Sequence, residues 1–439
     1  MTSILILFFG GKWQRHTVLK SDSCGYYNYL PATFIYHDLR HFAFYSRIDS
    51  IYDPADGTRY YAVHHIKERG SYVLKYTYGV ALLEMPAFLV AHLFTITFYP
   101  EIADGYSWPY QLAIGLNTIL FGIIGLWYVK KLLGNFFPDR VIALALCLLG
   151  FGTNFFAQVI TQPGMSHVYL FAIFAVLLFK VSLFDMNADQ KQLLIALPLM
   201  ALAVVIRPIS IIFCVHLVIL ILTSKSINEI RLGQRPTRPA VLLLSSMLSI
   251  LLIGVQLIYW KWATGDFLYW TYKYEGFDFG NSQVLKGLFS YKKGWFVYTP
   301  AALAGMFSMI YLATSSKHRV YAYLSLFYFA ILIFVTFSWW QWYYGGSFGS
   351  RVMVESLVVF AVPFAYAINK LMKESNLKRY AMYTLLSLLV ALNIFQTGQY
   401  ARGIIHWDNM NEAYYKEVFL KWNVSDEVKL KLNESSLSR

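Results

Sequence analysis

Of 439 residues, 57% are hydrophobic, 18% aromatic and only 14% charged, and mean hydropathy is +0.47. Soluble domains carry about 25% charged residues, so this composition excludes one and points to a polytopic membrane protein; apolar runs of spanning length, without alternating strands, make it all-α rather than a barrel. The net charge of +13 sits mostly in short loops between apolar runs, which is the positive-inside pattern and not a nucleic-acid footprint.

The first apolar run, residues 3–11, is too short to span. It predicts a shortened first helix completed by about Leu19, an upstream start being the alternative; a cleaved signal peptide would want a basic n-region, which is lacking. Residues 12–99 read as a large first outer loop. Its polar part, 12–75, carries the turn signals Tyr52-Asp53-Pro54 and Asp56-Gly57, and 26–45 has the spacing of an amphipathic interfacial helix.

Residues 76–99 are long enough to span but contain Gly79, Glu84, Pro86 and His92. Placing Lys130, Lys131 and Arg140, then Lys225, Arg231, Arg235 and Arg238, then Lys317 and Arg319, then Lys370, Lys373, Lys378 and Arg379 inside requires 76–99 to stay on the outer side. It is therefore expected to be re-entrant or interfacial, the alternative being an ordinary span kinked by proline.

Spans follow near 108–130, 139–158, 165–184, 192–206, 208–224, 240–262, 295–314, 319–337, 352–371 and 379–397. With the first helix this makes about eleven, N-terminus inside, in one transmembrane domain over 1–397. Residues 398–439 read as a short polar extracytoplasmic tail with a disordered end. Cys24, Cys147 and Cys214 are too scattered for a disulfide framework, and Cys147 and Cys214 read as small core residues.

Polar and aromatic residues gather on the outer side. Asp22, in Lys20-Ser21-Asp22-Ser23, is placed to act as a general base, and its rival role is a helix N-cap, which Ser21 or Ser23 could equally fill. Asp38 and Asp49 are weaker rivals, Asp38 reading as a solvated charge beside Arg40 and His41. Arg207-Pro208 interrupts an apolar stretch: an arginine there faces a cavity or partner, or snorkels at the mouth.

Lys292 and Lys293 run against the positive-inside tendency, which suits a phosphate or pyrophosphate, or lipid head groups. Trp339-Trp340-Gln341-Trp342-Tyr343-Tyr344 can be an interfacial belt. The following Gly345-Gly346-Ser347-Phe348-Gly349-Ser350-Arg351 is the pattern of an anion held at a helix N-terminus, with Glu355 one turn on to orient Arg351. His167 is a site residue or a helix-end packing residue. His64 and His65 can touch a metal only as a pair lacking a third ligand; no cofactor is fixed, and a divalent metal stays open.

The order of these segments, Ser21-Asp22 with Gly25-Tyr26-Tyr27-Asn28-Tyr29-Leu30-Pro31, then Lys75-Tyr76-Thr77-Tyr78-Gly79, Ile206-Arg207-Pro208, Phe289-Ser290 to Gly294 and Tyr344-Gly345-Gly346-Ser347-Phe348-Gly349 to Arg351, resembles the GT-C superfamily. These are polytopic glycosyltransferases that use polyprenyl-phosphate-linked sugars, and the chain is most similar to bacterial members akin to protein O-mannosyltransferases and aminoarabinose transferases. The resemblance implies a catalytic acid in the first outer loop, which maps onto Asp22, and basic residues holding the donor phosphate. The Asp-Glu dyad of some members is missing, Ser23 following Asp22.

The expectation is thus an inverting glycosyltransferase of a bacterial inner membrane, its active site outside, acting on an acceptor glycan, lipid or protein. Asp22 would be the base, Lys75, Arg207, Lys293 and Arg351 the phosphate ligands, and Tyr26, Tyr27, Trp342 and Tyr343 the sugar lining. The alternative is a transporter or flippase of an anionic lipid-linked sugar. A purely structural subunit would not explain the polar outer loops.

Overall fold

The structure is a computed structural model that describes residues 18–52, 62–234, 238–315 and 318–434. The predicted first span up to residue 17, the turns at Asp53-Pro54 and Asp56-Gly57, Arg235, Lys317 and residues 435–439 lie outside them. Helix accounts for 72% of the described residues, with almost no strand among them.

In chain order come α1 (Ser21–Tyr27), α2 (Tyr29–Phe34), α3 (Tyr45–Tyr52), the strands β1 (Val63–Ile66) and β2 (Ser71–Leu74), and α4 (Gly79–Phe98). Then follow α5 (Trp108–Gly134), α6 (Asp139–Phe151), α7 (Asn154–Thr161), α8 (Ser166–Asn187), α9 (Lys191–Ile206), α10 (Ile211–Leu222), α11 (Lys225–Arg231) and α12 (Pro239–Thr264). The last are α13 (Val284–Phe289), α14 (Trp295–Tyr298), α15 (Pro300–Ala313), α16 (Arg319–Phe337), α17 (Ala361–Leu371), α18 (Asn376–Ala401), α19 (Glu412–Val418) and α20 (Asp426–Glu434).

Among the described residues, α4, α5, α8, α12, α16 and α18 are long and apolar enough to cross a membrane, giving six spans, or up to eight if each of two bent pairs counts as one. This is a helical integral membrane protein. Five of the predicted spans, 108–130, 165–184, 240–262, 319–337 and 379–397, coincide with these long helices; the sixth long helix, α4, lies in 76–99, and the other predicted spans fall on shorter or bent helices. The 139–158 segment bends by 56° between α6 and α7, where Asn393 Nδ2 donates to the carbonyls of Phe151 and Thr153 at 2.8 and 2.7 Å. The 352–371 segment begins as 3-10 turns before α17.

The chain divides into two compact units. The first comprises Met1–Ile124, Gln162–Val215 and Ile221–Tyr274. In it α9 packs against α8 and α12, and α1, α2, the hairpin, the start of α5 and the end of α12 share one apolar core. The antiparallel hairpin pairs Val63 with Leu74 and Ile66 with Ser71. It is held to α12 by Ser71 Oγ donating to Ala263 O at 2.6 Å and by Leu74 N donating to the Tyr259 hydroxyl at 3.1 Å.

Residues 26–45 do not form the expected single amphipathic helix. They fold as α1, α2 and a compact turn in which His37 and Phe42 adopt positive φ, Tyr36 stacks on Phe44 with centroids 3.9 Å apart, and Asp38 accepts from His41 N and Ala43 N. The apolar residues there pack against one another and not along a stripe.

The segment 76–99 is one unbroken helix, α4, with Pro86 inside it. Its buried residues, Val80, Glu84, Phe88, Ala91 and Thr95, recur at helical spacing along one face, while Val90, Leu93 and Phe98 are exposed. Gly79 at its start abuts Ile206, the last residue of α9, and at its far end the rings of Tyr99 and Trp108 lie 5.7 Å apart.

The second unit comprises Gly125–Thr161, His216–Leu220 and Glu275–Arg439. Here α6 packs on α17 and α18, and α15 on α16 and α17. The described part of the predicted tail is folded: Ile404, Ile405, Met410, Tyr414, Tyr415 and Val418 share a core with Ala157, Tyr298 and Phe348. Cys214 is buried as expected, whereas Cys147 is exposed on the outside of α6.

Candidate functional site

Asp22 stands in the first turn of α1, but it does not cap the helix. Lys20 is the extended N-cap residue, and its N–H donates to Ser23 Oγ at 3.1 Å, so the capping duty falls on the serine and the aspartate side chain is available for another partner. That partner is Tyr76, whose hydroxyl donates to Asp22 Oδ1 at 2.6 Å. The Tyr76 ring stacks on Tyr26, centroids 4.4 Å apart, and Tyr26 in turn reaches Ser166 Oγ with its hydroxyl at 3.3 Å. Gly25 makes the stack fit: a Cβ there would come within 2.4 Å of Ala62 Cβ and 2.6 Å of the Tyr76 ring.

Lys75 precedes Tyr76 and is buried at 2% exposure. Its backbone is fixed on both sides, its N–H donating to Ala62 O at 2.8 Å and its carbonyl accepting from Thr271 Oγ1 at 2.6 Å. Its ammonium lies 5.0 Å from the centroid of Tyr272 and 5.9 Å from that of Tyr76, within range of cation–π attraction. His64 on β1 senses the positive field of this corner: burial pushes its imidazole down to about 4, with Lys273 and then Lys75 adding to the shift.

Thr77 donates its hydroxyl to Val205 O, which fixes the start of α4 against the end of α9. The chain then extends at Arg207, as a residue before proline must, and Arg207 Nη1 lies 3.3 Å from His167 Nδ1. His167 is the second residue of α8, next to the Ser166 that meets Tyr26. The first unit therefore joins Asp22 and Tyr26 through Tyr76, with Lys75 beside it, and Tyr26 in turn to Ser166, the neighbour of the His167 that meets Arg207; Tyr76 has no role legible in the sequence.

Tyr27 is not part of that neighbourhood. Adjacent residues on a helix point about 100° apart, and Tyr27 faces the core, fully buried, its hydroxyl donating to Gly105 O and its ring edge-on to Phe88 and Tyr106. It cannot line a sugar site. Asp38 serves its own turn: burial raises its carboxyl, but the backbone N–H groups of Ala43 and His41 outweigh this and lower it. Asp49 lies on α3. His64 and His65 are consecutive on a strand and so point to opposite faces, the His65 ring tilted against Tyr72 with centroids 4.8 Å apart. Among the described residues no three His, Cys, Asp or Glu side chains are grouped to hold a metal ion.

Lys292, Lys293, Trp342, Tyr343, Arg351 and Glu355 belong to the second unit. Lys292 Nζ sits 3.6 Å over the Tyr343 ring, and the rings of Trp342 and Tyr343 meet edge-on at 5.5 Å. Lys293 is 2% exposed and donates to the carbonyls of Ser347 and Trp407. Burial lowers its ammonium to about 7, against the opposing charge of Asp408 and with Arg351 and Lys292 adding to the fall. Lys293 is thus a cross-link between two loops, with two of its protons committed to backbone.

The glycine-rich loop also has packing to do. Gly349 takes a left-handed φ of +59° against Tyr298, and a Cβ on Gly346 would lie 2.6 Å from the Trp407 ring. Arg351 opens a three-residue 3-10 turn, and Glu355, 5% exposed, starts a second, so the expected α-helix N-terminus at Arg351 is absent and α17 starts only at Ala361.

Compared with protein-family models, with curated proteins and with solved structures, the chain matches none.

Proposed function

We propose that this protein is a GT-C-type glycosyltransferase of a bacterial inner membrane, transferring a sugar from a polyprenyl-phosphate donor to an acceptor hydroxyl at the outer face. The observation that carries the reading is the partly buried Asp22 carboxylate, oriented by the Tyr76 hydroxyl at 2.6 Å in the neighbourhood that also holds Lys75 and Arg207. A base needs a fixed direction, and the leaving phosphate needs cations close by.

In the reaction, Asp22 takes the proton of the acceptor hydroxyl as that oxygen attacks the anomeric carbon. The bond from the anomeric carbon to the phosphate oxygen breaks, the configuration inverts, and the polyprenyl phosphate leaves with its charge met by Arg207 and Lys75. His167 holds the Arg207 guanidinium from behind. Tyr26, 5% exposed and stacked on Tyr76, supports the sugar site from behind that ring.

The topology that goes with this reading has eleven crossings, with the apolar helices α9, α10 and α15 and the 352–371 segment among them and α4 lying along the outer face. The donor then enters from the bilayer.

The test is to mix purified protein with a polyprenyl-phosphate sugar and an acceptor and to measure free polyprenyl phosphate. Release that depends on acceptor and is lost in Asp22→Asn is the expected result. Passage of the intact lipid-linked sugar across vesicles with no bond broken would replace the reading by that of a flippase.

A further inference from the structure

Glu84 is 0% exposed, in the second turn of α4. Its Oε1 accepts from the Tyr169 hydroxyl at 3.0 Å, and its Oε2 is buried with no hydrogen-bond partner. The surroundings are oxygen-rich. The Tyr169 hydroxyl lies 3.3 Å from both Thr118 Oγ1 and Asn117 Nδ2, and Thr118 Oγ1 accepts from Gly164 N at 2.9 Å. The titratable groups that face it are phenols: Tyr169 of α8, and Tyr27 of α1, whose hydroxyl is raised mainly by burial and in part by the charge of Glu84. Its own helix adds His92 two turns on, which is turned to Tyr110 at 2.7 Å. No Lys or Arg of the described residues pairs with it. A carboxylate cannot stay buried in a helix of membrane-spanning composition without a positive partner.

We infer that Glu84 is the anchor of a buried monovalent-cation site, with Tyr169 and Thr118 supplying further oxygens, and that the occupant is a proton or an alkali-metal ion. The inference does not rest on glycosyl transfer and holds for any activity of the chain. The site adjoins the base: Gly164, held at φ +77°, has its Cβ position 3.6 Å from Glu84 Oε1 and 3.0 Å from Ser23 Cβ, so it separates the Glu84 carboxyl from the turn that carries Asp22.

Infrared difference spectra between the wild type and Glu84→Gln, with the full chain in neutral-lipid nanodiscs at neutral pH, test this in sodium chloride and in choline chloride. A carboxylic-acid carbonyl band that belongs to Glu84 and ignores sodium identifies a proton. A carboxylate band that shifts when sodium replaces choline identifies the metal ion. A carboxylate band indifferent to sodium overturns the inference. If Glu84→Gln does not fold, Tyr169→Phe replaces it: the band that moves when the Tyr169 hydrogen bond is lost is the Glu84 band, and the same three outcomes apply.

Discussion

The Tyr76 hydroxyl donates to Asp22 Oδ1 across 54 residues of sequence at 2.6 Å, and the same tyrosine ring lies on Tyr26. One side chain thus aims the proposed base and packs against the residue placed at the sugar. Asp22→Asn keeps shape and removes basicity, and transfer is expected to fall by about 10²- to 10⁴-fold. Tyr76→Phe keeps the stack and removes the hydrogen bond; a bond to a charged group contributes about 1.5–3 kcal/mol, so a loss of about 10- to 100-fold is expected. Turnover of both variants, normalised to folded protein, checks the order, and a near-normal Asp22→Asn would remove the assignment.

Arg207 is positioned by the chain extension before Pro208 and by His167 at 3.3 Å. Arg207→Ala is expected to raise KM for the lipid donor and to lower kcat, by about 10-fold or more combined, with acceptor KM unmoved. Initial rates with donor and acceptor varied separately measure the split. A variant impaired only toward the acceptor would place Arg207 at the other substrate.

Gly25→Ala drives a methyl group into Ala62 and the Tyr76 ring. Overpacking of this kind costs about 1–3 kcal/mol, and here it displaces the residue that aims Asp22, so activity is expected to fall along with the unfolding midpoint. Gly70→Ala is the control: it has open space around it at φ +57°, so it strains only its own turn and is expected to leave activity intact.

Lys293 gives stability a pH dependence. Its folded value of about 7 lies below the ordinary 10.5, so between those values the unfolded chain binds the extra proton and stability rises as pH rises. The expected gain from pH 7 to 10 is on the order of a few kcal/mol. Lys293→Met is expected to flatten this slope and to lower the midpoint throughout, because two buried carbonyls lose their donor. Unfolding in detergent followed by tryptophan fluorescence at several pH values reads both effects.

Deleting residues from 404 onward strips Ile404, Ile405, Met410, Tyr414 and Val418 from Tyr298 and Phe348. Each large apolar side chain buried there contributes about 1.5–3 kcal/mol, so the truncated chain is expected to aggregate on size-exclusion chromatography. A monodisperse truncated protein would show that the segment is dispensable to its unit.

Apolar run length and the scarcity of charge were enough to predict a helical membrane protein, because a bilayer imposes those features on sequence directly. Asp22 and Arg207 stand out in the sequence as candidates, since a carboxylate beside a membrane segment and an arginine inside one are costly and therefore conspicuous. What the sequence could not give was pairing at a distance. It made Tyr26 and Tyr27 equal candidates, and only the turn of α1 sends one to Asp22's neighbour and the other to the core. It made Lys292 and Lys293 a twin phosphate site, where folding puts one over Tyr343 and spends the other on two carbonyls. It read residues after 398 as a tail, because the apolar residues there are too sparse to show a period and acquire a core only from Tyr298 and Phe348. Local composition determined the class; the tertiary structure decided which polar groups meet, since a hydrogen bond between residues 22 and 76 has no periodic trace in sequence.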